Sequence, residues 1–420
     1  MLMGGSILPK TILIIGAGIE QVPAIKLAKS MGLRVVVTDG NQSAPGFEWA
    51  DDFAVISTYD CVKTVSFARD YSQSKNRLDG VITVASDVPL TVAAVAQELG
   101  LPGHSLETAK IATHKLLMKE KFSEFGVPIP SFKEIRDVDE LKGFIKIYQY
   151  PVVIKPMDSR GARGVLRLTE STDLSWAFAE SRKASPLGRV MVEDFLEGLQ
   201  ISSESIIYDG QIFTPGLANR NYEYLEKYAP YIIENGGDLP VLLDEVQKQE
   251  LNRVLLKAAE ALGISRGSLK GDIVLTRDGF KIIEVAARLS GGWFATDEIP
   301  LSSGVNVVEA VINIALGIKF DFSKLSPKYS RGVALRYLFV EQGRIDRITG
   351  LEEVEKMSFV KKIGINLAEG TVIEKMSDHT KRLGFVITEA ETRQAAIDYA
   401  NQALKSIKVN IGNASLLSQR

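Results

Sequence analysis

Lys270-Gly271-Asp272-Ile273-Val274-Leu275-Thr276-Arg277-Asp278-Gly279-Phe280-Lys281-Ile282-Ile283-Glu284-Val285-Ala286-Ala287-Arg288 is the stretch on which the reading of this chain turns. Two apolar, β-branched runs flank Arg-Asp-Gly, the pattern of an antiparallel hairpin. With Arg277, Asp278 and Gly279 as a three-residue loop, Thr276 pairs with Phe280 and Asp272 stands opposite Glu284. Directly opposed residues share a face, with Cβ atoms ~5 Å apart. Two carboxylates that close repel unless a proton or cation sits between them. Mg²⁺ is the simplest such cation, since it takes carboxylate oxygens together with substrate phosphates. A two-residue loop would instead put the acids on opposite faces, and the plain alternative is two solvated acids at strand ends.

Upstream, Pro151-Val152-Val153-Ile154-Lys155-Pro156 reads as a buried strand that ends on a lysine locked by proline. Ligands bind at the carboxyl ends of such strands in α/β domains. Four residues on, Ser159-Arg160-Gly161-Ala162-Arg163-Gly164-Val165 is a Gly-rich loop carrying two arginines. Its backbone N–H groups can cradle phosphate oxygens while the arginines supply charge. It lacks the Gly-Lys-Ser/Thr of a Walker loop. Val190 to Gly198 runs from a strand into the polar turn Glu193-Asp194-Phe195-Leu196, a hinge able to offer backbone donors and acceptors to an adenine edge. Glu204, between serines, can accept from a ribose; in isolation either acid is more often a solvated strand end.

The amino-terminal part reads as strand (Thr11 to Ile15), Gly16-Ala17-Gly18 turn, helix to Met31 and strand to Asp39, the opening of a doubly wound parallel sheet. Asp39 stands roughly 20 residues on, as a dinucleotide site expects. Gln21 at the third glycine position argues against that ligand, because a bulky residue hinders helix–strand packing there. Val81 to Val84 reads as a strand, Lys110 to Phe125 as a basic helix, Val246 to Leu262 as a helix, and Gly332 to Phe339 as a strand opening an α+β appendage.

The bulk properties exclude several classes. With 420 residues, 45% hydrophobic and 24% charged, the chain has the composition of a multidomain globular protein. A net charge of −2 gives no long-range pull towards nucleic acid or anionic membrane. The single cysteine, Cys61, forbids an intrachain disulfide framework, and the three histidines carry no zinc spacing. Residues 1–10 are too short and polar for a secretory apolar core, and no run of 18 apolar residues follows, so a cytoplasmic location is expected.

In this order the parts resemble the ATP-grasp superfamily, and Ile283-Glu284-Val285-Ala286-Ala287-Arg288-Leu289-Ser290-Gly291-Gly292-Trp293 is most similar to the L-amino-acid ligases and related carboxylate–amine ligases. The resemblance implies an α/β and α+β chain. Its parts are a Rossmann-like pre-ATP-grasp domain (1–104), a lid subdomain (105–190), a central subdomain with the metal site (191–327) and a carboxyl-terminal α+β subdomain (328–420). It implies ATP and Mg²⁺ as cofactors, with Mn²⁺ as a substitute. Lys115 and Lys155 would contact phosphates, Glu193 and Leu196 would form the adenine hinge, and Glu204 would bind ribose. Asp272 and Glu284 would bind metal, Arg288 would stabilise the acyl phosphate and tetrahedral intermediate, and Trp293 would wall the substrate pocket. Glu234 lies on the insertion whose counterparts line the substrate site. Three departures stand out: Ala286 replaces a ligating Asn, Asp272 replaces the commoner Glu, and one extra glycine lies between Arg288 and Trp293. The expected reaction joins a small-molecule carboxylate and an amine, with amino acids as candidate substrates and a homodimer left open. Purine-pathway and carbamoyl-phosphate-synthase-like ligases are the near alternatives, and an ATP-binding regulator without turnover is the distant one.

Overall fold

A computed structural model of the chain describes residues 9–319 and 321–412. The earlier expectation for residues 1–10 falls almost wholly outside them. The amino-terminal sheet is all parallel, in the order Asp52–Val55, Arg34–Asp39, Thr11–Ile15, Gly80–Ile82. Thr11–Ile15 is buried at every position, because helices cover both faces of a parallel sheet. Helix Pro89–Leu99 begins on proline and stops at Gly100, whose φ of +62 closes the helix in the left-handed region.

A second sheet is antiparallel, ordered Phe132–Ile135, Val190–Asp194, Val152–Pro156, Leu166–Leu168. Helices Val138–Tyr148 and Leu174–Lys183 cover it, each started by an aspartate (Asp137, Asp173) that accepts first-turn N–H groups. The strand Val190–Asp194 lies inside this sheet, so the expected boundary at 190/191 moves to just after it.

The central sheet has eight antiparallel strands. Gly279–Ala286, Arg266–Thr276, Leu199–Tyr208, Gln211–Arg220 and Gly237–Leu239 continue directly into Gly332–Leu338, Gly384–Ala390 and Val360–Ile365. The expected cut at 327/328 therefore divides one hydrogen-bonded sheet rather than two subdomains, since Gly237–Leu239 pairs with Gly332–Leu338. Helix Glu245–Ala261, opened by an Asp244/Gln247 capping box, buries Leu251, Leu255 and Ala258 with Leu269, Ile273 and Phe280 of the sheet. The expected basic helix is two helices, Leu106–Thr113 and Lys115–Glu124. His114 is extended at the break, and its ring accepts the N–H of Leu117 as the second helix's cap.

The hairpin departs from expectation in an informative way. Thr276 pairs with Gly279, so the loop holds two residues, Arg277 and Asp278. Leu275–Phe280, Val274–Lys281 and Ile273–Ile282 follow in register, and then Asp272 pairs with Glu284. Ile283 is an extra residue, a bulge that restores the pairing the short loop would have broken. The opposition of the two acids thus holds by a route the loop count did not contain.

Candidate active site

Between the lid sheet and the central sheet lies a cavity of about 570 Å³. All the residues singled out from the sequence for nucleotide, metal or catalysis line it, except Arg163, Gly164 and Glu204. The bulge places neighbouring Ile283 and Glu284 both on the cavity wall, with Asp272 across from them.

Lys155 ends its strand inside the protein, 4% exposed, and its Nζ lies 2.8 Å from Glu193 Oε2. The other oxygen of Glu193 lies 3.1 Å from Lys119 Nζ, making a buried Lys–Glu–Lys array. Burial works against the Glu193 carboxylate, yet the two ammonium groups outweigh it and hold the group below the usual carboxylate range. Burial pulls Lys119 down to about 8 despite Glu193. The Glu193 side chain is therefore committed to two lysines, so at this position only the backbone is free to face a base edge. Lys119, one turn after Lys115 on the same helix, was not singled out from the sequence; the i, i+4 spacing was its signal.

Lys115 pairs with Glu284 at 3.2 Å and donates to the Ser159 carbonyl at 3.4 Å, so it joins the hairpin to the lid loop. The Lys115 ammonium holds the Glu284 carboxyl far below its usual range. Asp272 contacts Arg220 at 2.8 Å and also pairs with Lys270. Arg220 in turn holds Glu234 at 2.5 Å. Burial acts to raise the Glu234 carboxyl, but Arg220, Arg382 and His379 bring it down to about 2. The two hairpin acids thus face protein cations, and among the described residues no group of three or more His, Cys, Asp or Glu could hold a metal. Two opposed carboxylates are the donor type that Mg²⁺ takes together with phosphate oxygens. Lys270, opposite Ala286, stands where a third protein ligand is missing.

Glu204 requires correction as a ribose contact. It is fully buried in the central sheet, away from the cavity wall, and its Oε2 accepts the Ser290 N–H at 2.8 Å. Burial pushes its carboxyl up to about 7. Arg163 turns inward to its own loop, donating to the Arg160 carbonyl at 3.0 Å. Gly164 has φ +70, and a Cβ there would come within 2.5 Å of the Ala184 methyl, so its role is close packing. Trp293 also sits in the core rather than on the cavity wall. It is 8% exposed, its ring 5.5 Å from that of Phe385, with Lys362 Nζ 3.6 Å from its centroid.

Arg288 pairs with neither Glu284 nor Asp297. Its partner is Asp87, whose Oδ1 lies 2.5 Å from Nη2 and 2.7 Å from Nε. Asp87 follows the strand Gly80–Ile82, where the carboxyl-end rule could have flagged it. The amino-terminal crevice is filled by the chain itself. Asp39 accepts the Ala17 and Asn41 N–H groups, and the Gln21 amide donates to the Val84 carbonyl at 2.6 Å. Ala85 donates to the Leu289 carbonyl, and Glu20 accepts the Gly292 N–H at 2.8 Å. The segment after the hairpin thus docks on Ala85 and on Glu20, beside the Gly16-Ala17-Gly18 turn.

Residues 113–291 match the family described as phosphoribosylglycinamide synthetase, ATP-grasp (A) domain; residues 25–103 match the ATP-grasp N-terminal domain, and residues 336–412 match L-amino acid ligase C-terminal domain 2. The chain is 26% identical over 427 residues to phosphoribosylamine–glycine ligase of Halalkalibacterium halodurans, covering 94% of both. It is 23% identical over 309 residues to the L-arginine-specific L-amino acid ligase of Bacillus subtilis, covering 71% of each. Its fold matches the crystal structure of L-amino acid ligase from Bacillus licheniformis with a TM-score of 0.80 at 21% identity, over 96% of this chain and 99% of that one.

Proposed function

We propose that the chain acts as an ATP-grasp ligase resembling the L-amino acid ligase group, joining a small carboxylate to an amine through an acyl phosphate. The observation that carries this reading is the shared cavity, where Lys115, Lys155, Arg160, Asp272, Glu284 and Arg288 all line one space. A substrate carboxylate oxygen attacks the γ-phosphorus of ATP and ADP leaves; the amine nitrogen then attacks the acyl carbon, phosphate leaves and the amine loses a proton. Such chemistry depends on positioning and charge neutralisation rather than on a covalent enzyme intermediate. Lys115 and Lys155 face the phosphates, the 193–196 backbone faces the adenine, and Arg288 faces the oxyanion of the intermediate. Asp272 and Glu284 would hold Mg²⁺, which would neutralise phosphate charge. Among the described residues no helix is long and apolar enough to cross a membrane.

The deciding experiment measures ADP release over a panel of amino acids and small carboxylates, each with and without an amine, in ATP and Mg²⁺. Hydroxylamine present throughout should divert the intermediate to a hydroxamate. ADP formation with hydroxamate supports the acyl phosphate; tight ATP binding with no ADP from any pair would leave a regulator. A second reading, a phosphoribosylamine–glycine type reaction, rests on the relative that covers 94% of this chain, and the panel separates it by including that pair.

A further inference from the structure

We propose that Asp87 is a positioning residue that couples closure of the Ser159–Val165 loop to the placement of Arg288; the proposal rests on the ligase reading above. One carboxylate holds both arginines. Its Oδ1 lies 2.5 Å from Arg288 Nη2, and its Oδ2 lies 3.3 Å from Arg160 Nε. The Asp87 backbone takes part as well, since its carbonyl accepts from Arg160 Nη2 at 3.2 Å. Arg160 is further held by the Tyr59 hydroxyl at 2.5 Å, with its guanidinium 4.8 Å from the Tyr59 ring centroid. On its other side the loop is held by the carboxyl-terminal part of the chain, where the His379 N–H donates to the Gly161 carbonyl at 3.1 Å.

Asp87 therefore reads two events at once. When the loop is down, Arg160 neutralises one oxygen, and the other oxygen fixes the Arg288 fork over the cavity. When the loop lifts, Asp87 loses Arg160 and keeps Arg288 as its one cationic partner, so the pull of the carboxylate on Arg288 strengthens. An oxyanion arriving at Arg288 competes with Asp87, and it competes best when Arg160 shares the carboxylate. The acyl phosphate is thereby handled by Arg288 chiefly when the loop seals it from water. Neither arginine alone predicts this link, because they lie in loops that follow strands of two different sheets and meet through Asp87 of the amino-terminal domain.

The test uses the full chain with Asp87→Asn, Arg160→Ala and the double variant. The first readout is hydrogen exchange at residues 159–165 with ATP and Mg²⁺, which needs no turnover and so stays informative if the ligase reading fails. Wild type should show slowed exchange; Asp87→Asn should lose at least tenfold of that slowing while ATP affinity changes less than threefold. On exchange the double variant should match Arg160→Ala, since that substitution already removes the loop's whole contact with Asp87. The second readout is the ratio of ADP to amide, which should be near one in wild type and rise severalfold in Asp87→Asn as the acyl phosphate hydrolyses. Asp87→Glu, with the charge kept, should restore part of both. Wild-type exchange and a ratio of one in Asp87→Asn would overturn the proposal, as would additive effects in the double variant. If Asp87→Asn melts early, the Arg160→Ala pair of readouts decides alone: unchanged exchange and an unchanged ratio in that exposed-loop variant overturn it.

Discussion

Replacing Glu193 by Gln probes the centre of the site, because one carboxylate there carries two lysines. Lys119 and Lys155 lie 3.1 and 2.8 Å from its oxygens, and all three side chains are almost wholly buried. Removing one partner of a buried charge pair costs ~3–5 kcal/mol, because the remaining charge is left without compensation. Here two ammonium groups lose a common partner, so the upper part of that range applies at pH 7. The pH dependence gives a sharper signature. Lys119 already sits at about 8 with Glu193 present, against an unfolded value near 10.5, because burial disfavours its charge. In the variant it falls further. The native variant then binds fewer protons than the unfolded chain over a window that opens below pH 8, so its stability climbs with pH there more steeply than that of the wild type, whose Lys119 releases its proton only around pH 8. The deficit of the variant should therefore narrow between pH 7 and pH 8. Urea unfolding at both pH values, with and without ATP and Mg²⁺, reads the effect. Nucleotide should restore more stability to the variant than to the wild type, because phosphate replaces the lost anion. A loss below 1 kcal/mol, or a deficit that widens with rising pH, would refute the buried array as described.

Three further outcomes are expected. Trp293→Ala should cost ~3–5 kcal/mol of stability with unchanged substrate preference, checked by thermal melting and a substrate panel, since the ring packs in the core against Phe385. Glu204→Gln should become progressively more stable relative to wild type as pH rises from 4.5 to 7, by a total on the order of 3 kcal/mol at 1.36 kcal/mol per pKa unit. The sign follows from the raised Glu204 value of about 7: the native wild type holds a proton there that the unfolded chain has released, so its stability falls with pH, and the variant lacks that slope. Glu284→Ala should weaken Mg²⁺-dependent ATP binding more than Asp272→Ala, because the Lys115 it releases also holds the lid loop at the Ser159 carbonyl, whereas Asp272→Ala releases Arg220 and Lys270; equal effects in titration calorimetry would count against this ranking.

Local patterns decided much of this protein before any contact was known. Alternating and continuous apolar runs, proline at helix starts and glycine at stops are short-range signals. They mark Thr11–Ile15, Val152–Pro156 and Glu245–Ala261 to within a residue or two, and they put Lys155 at a strand end. The superfamily was legible because its motifs are runs of neighbouring residues. Partners were not legible, since an ion pair depends on chain segments far apart in sequence. Asp87 meets Arg288 across 201 positions, and Glu193 meets Lys119 across 74. Glu204 looked available for ribose because its serine neighbours are polar, and only the sheet around it shows that the carboxyl is sealed in. The hairpin shows the division most plainly. Its sequence carries both acids at the spacing that lets them face each other, but a bulge at Ile283, seen only in the paired strands, makes them do so.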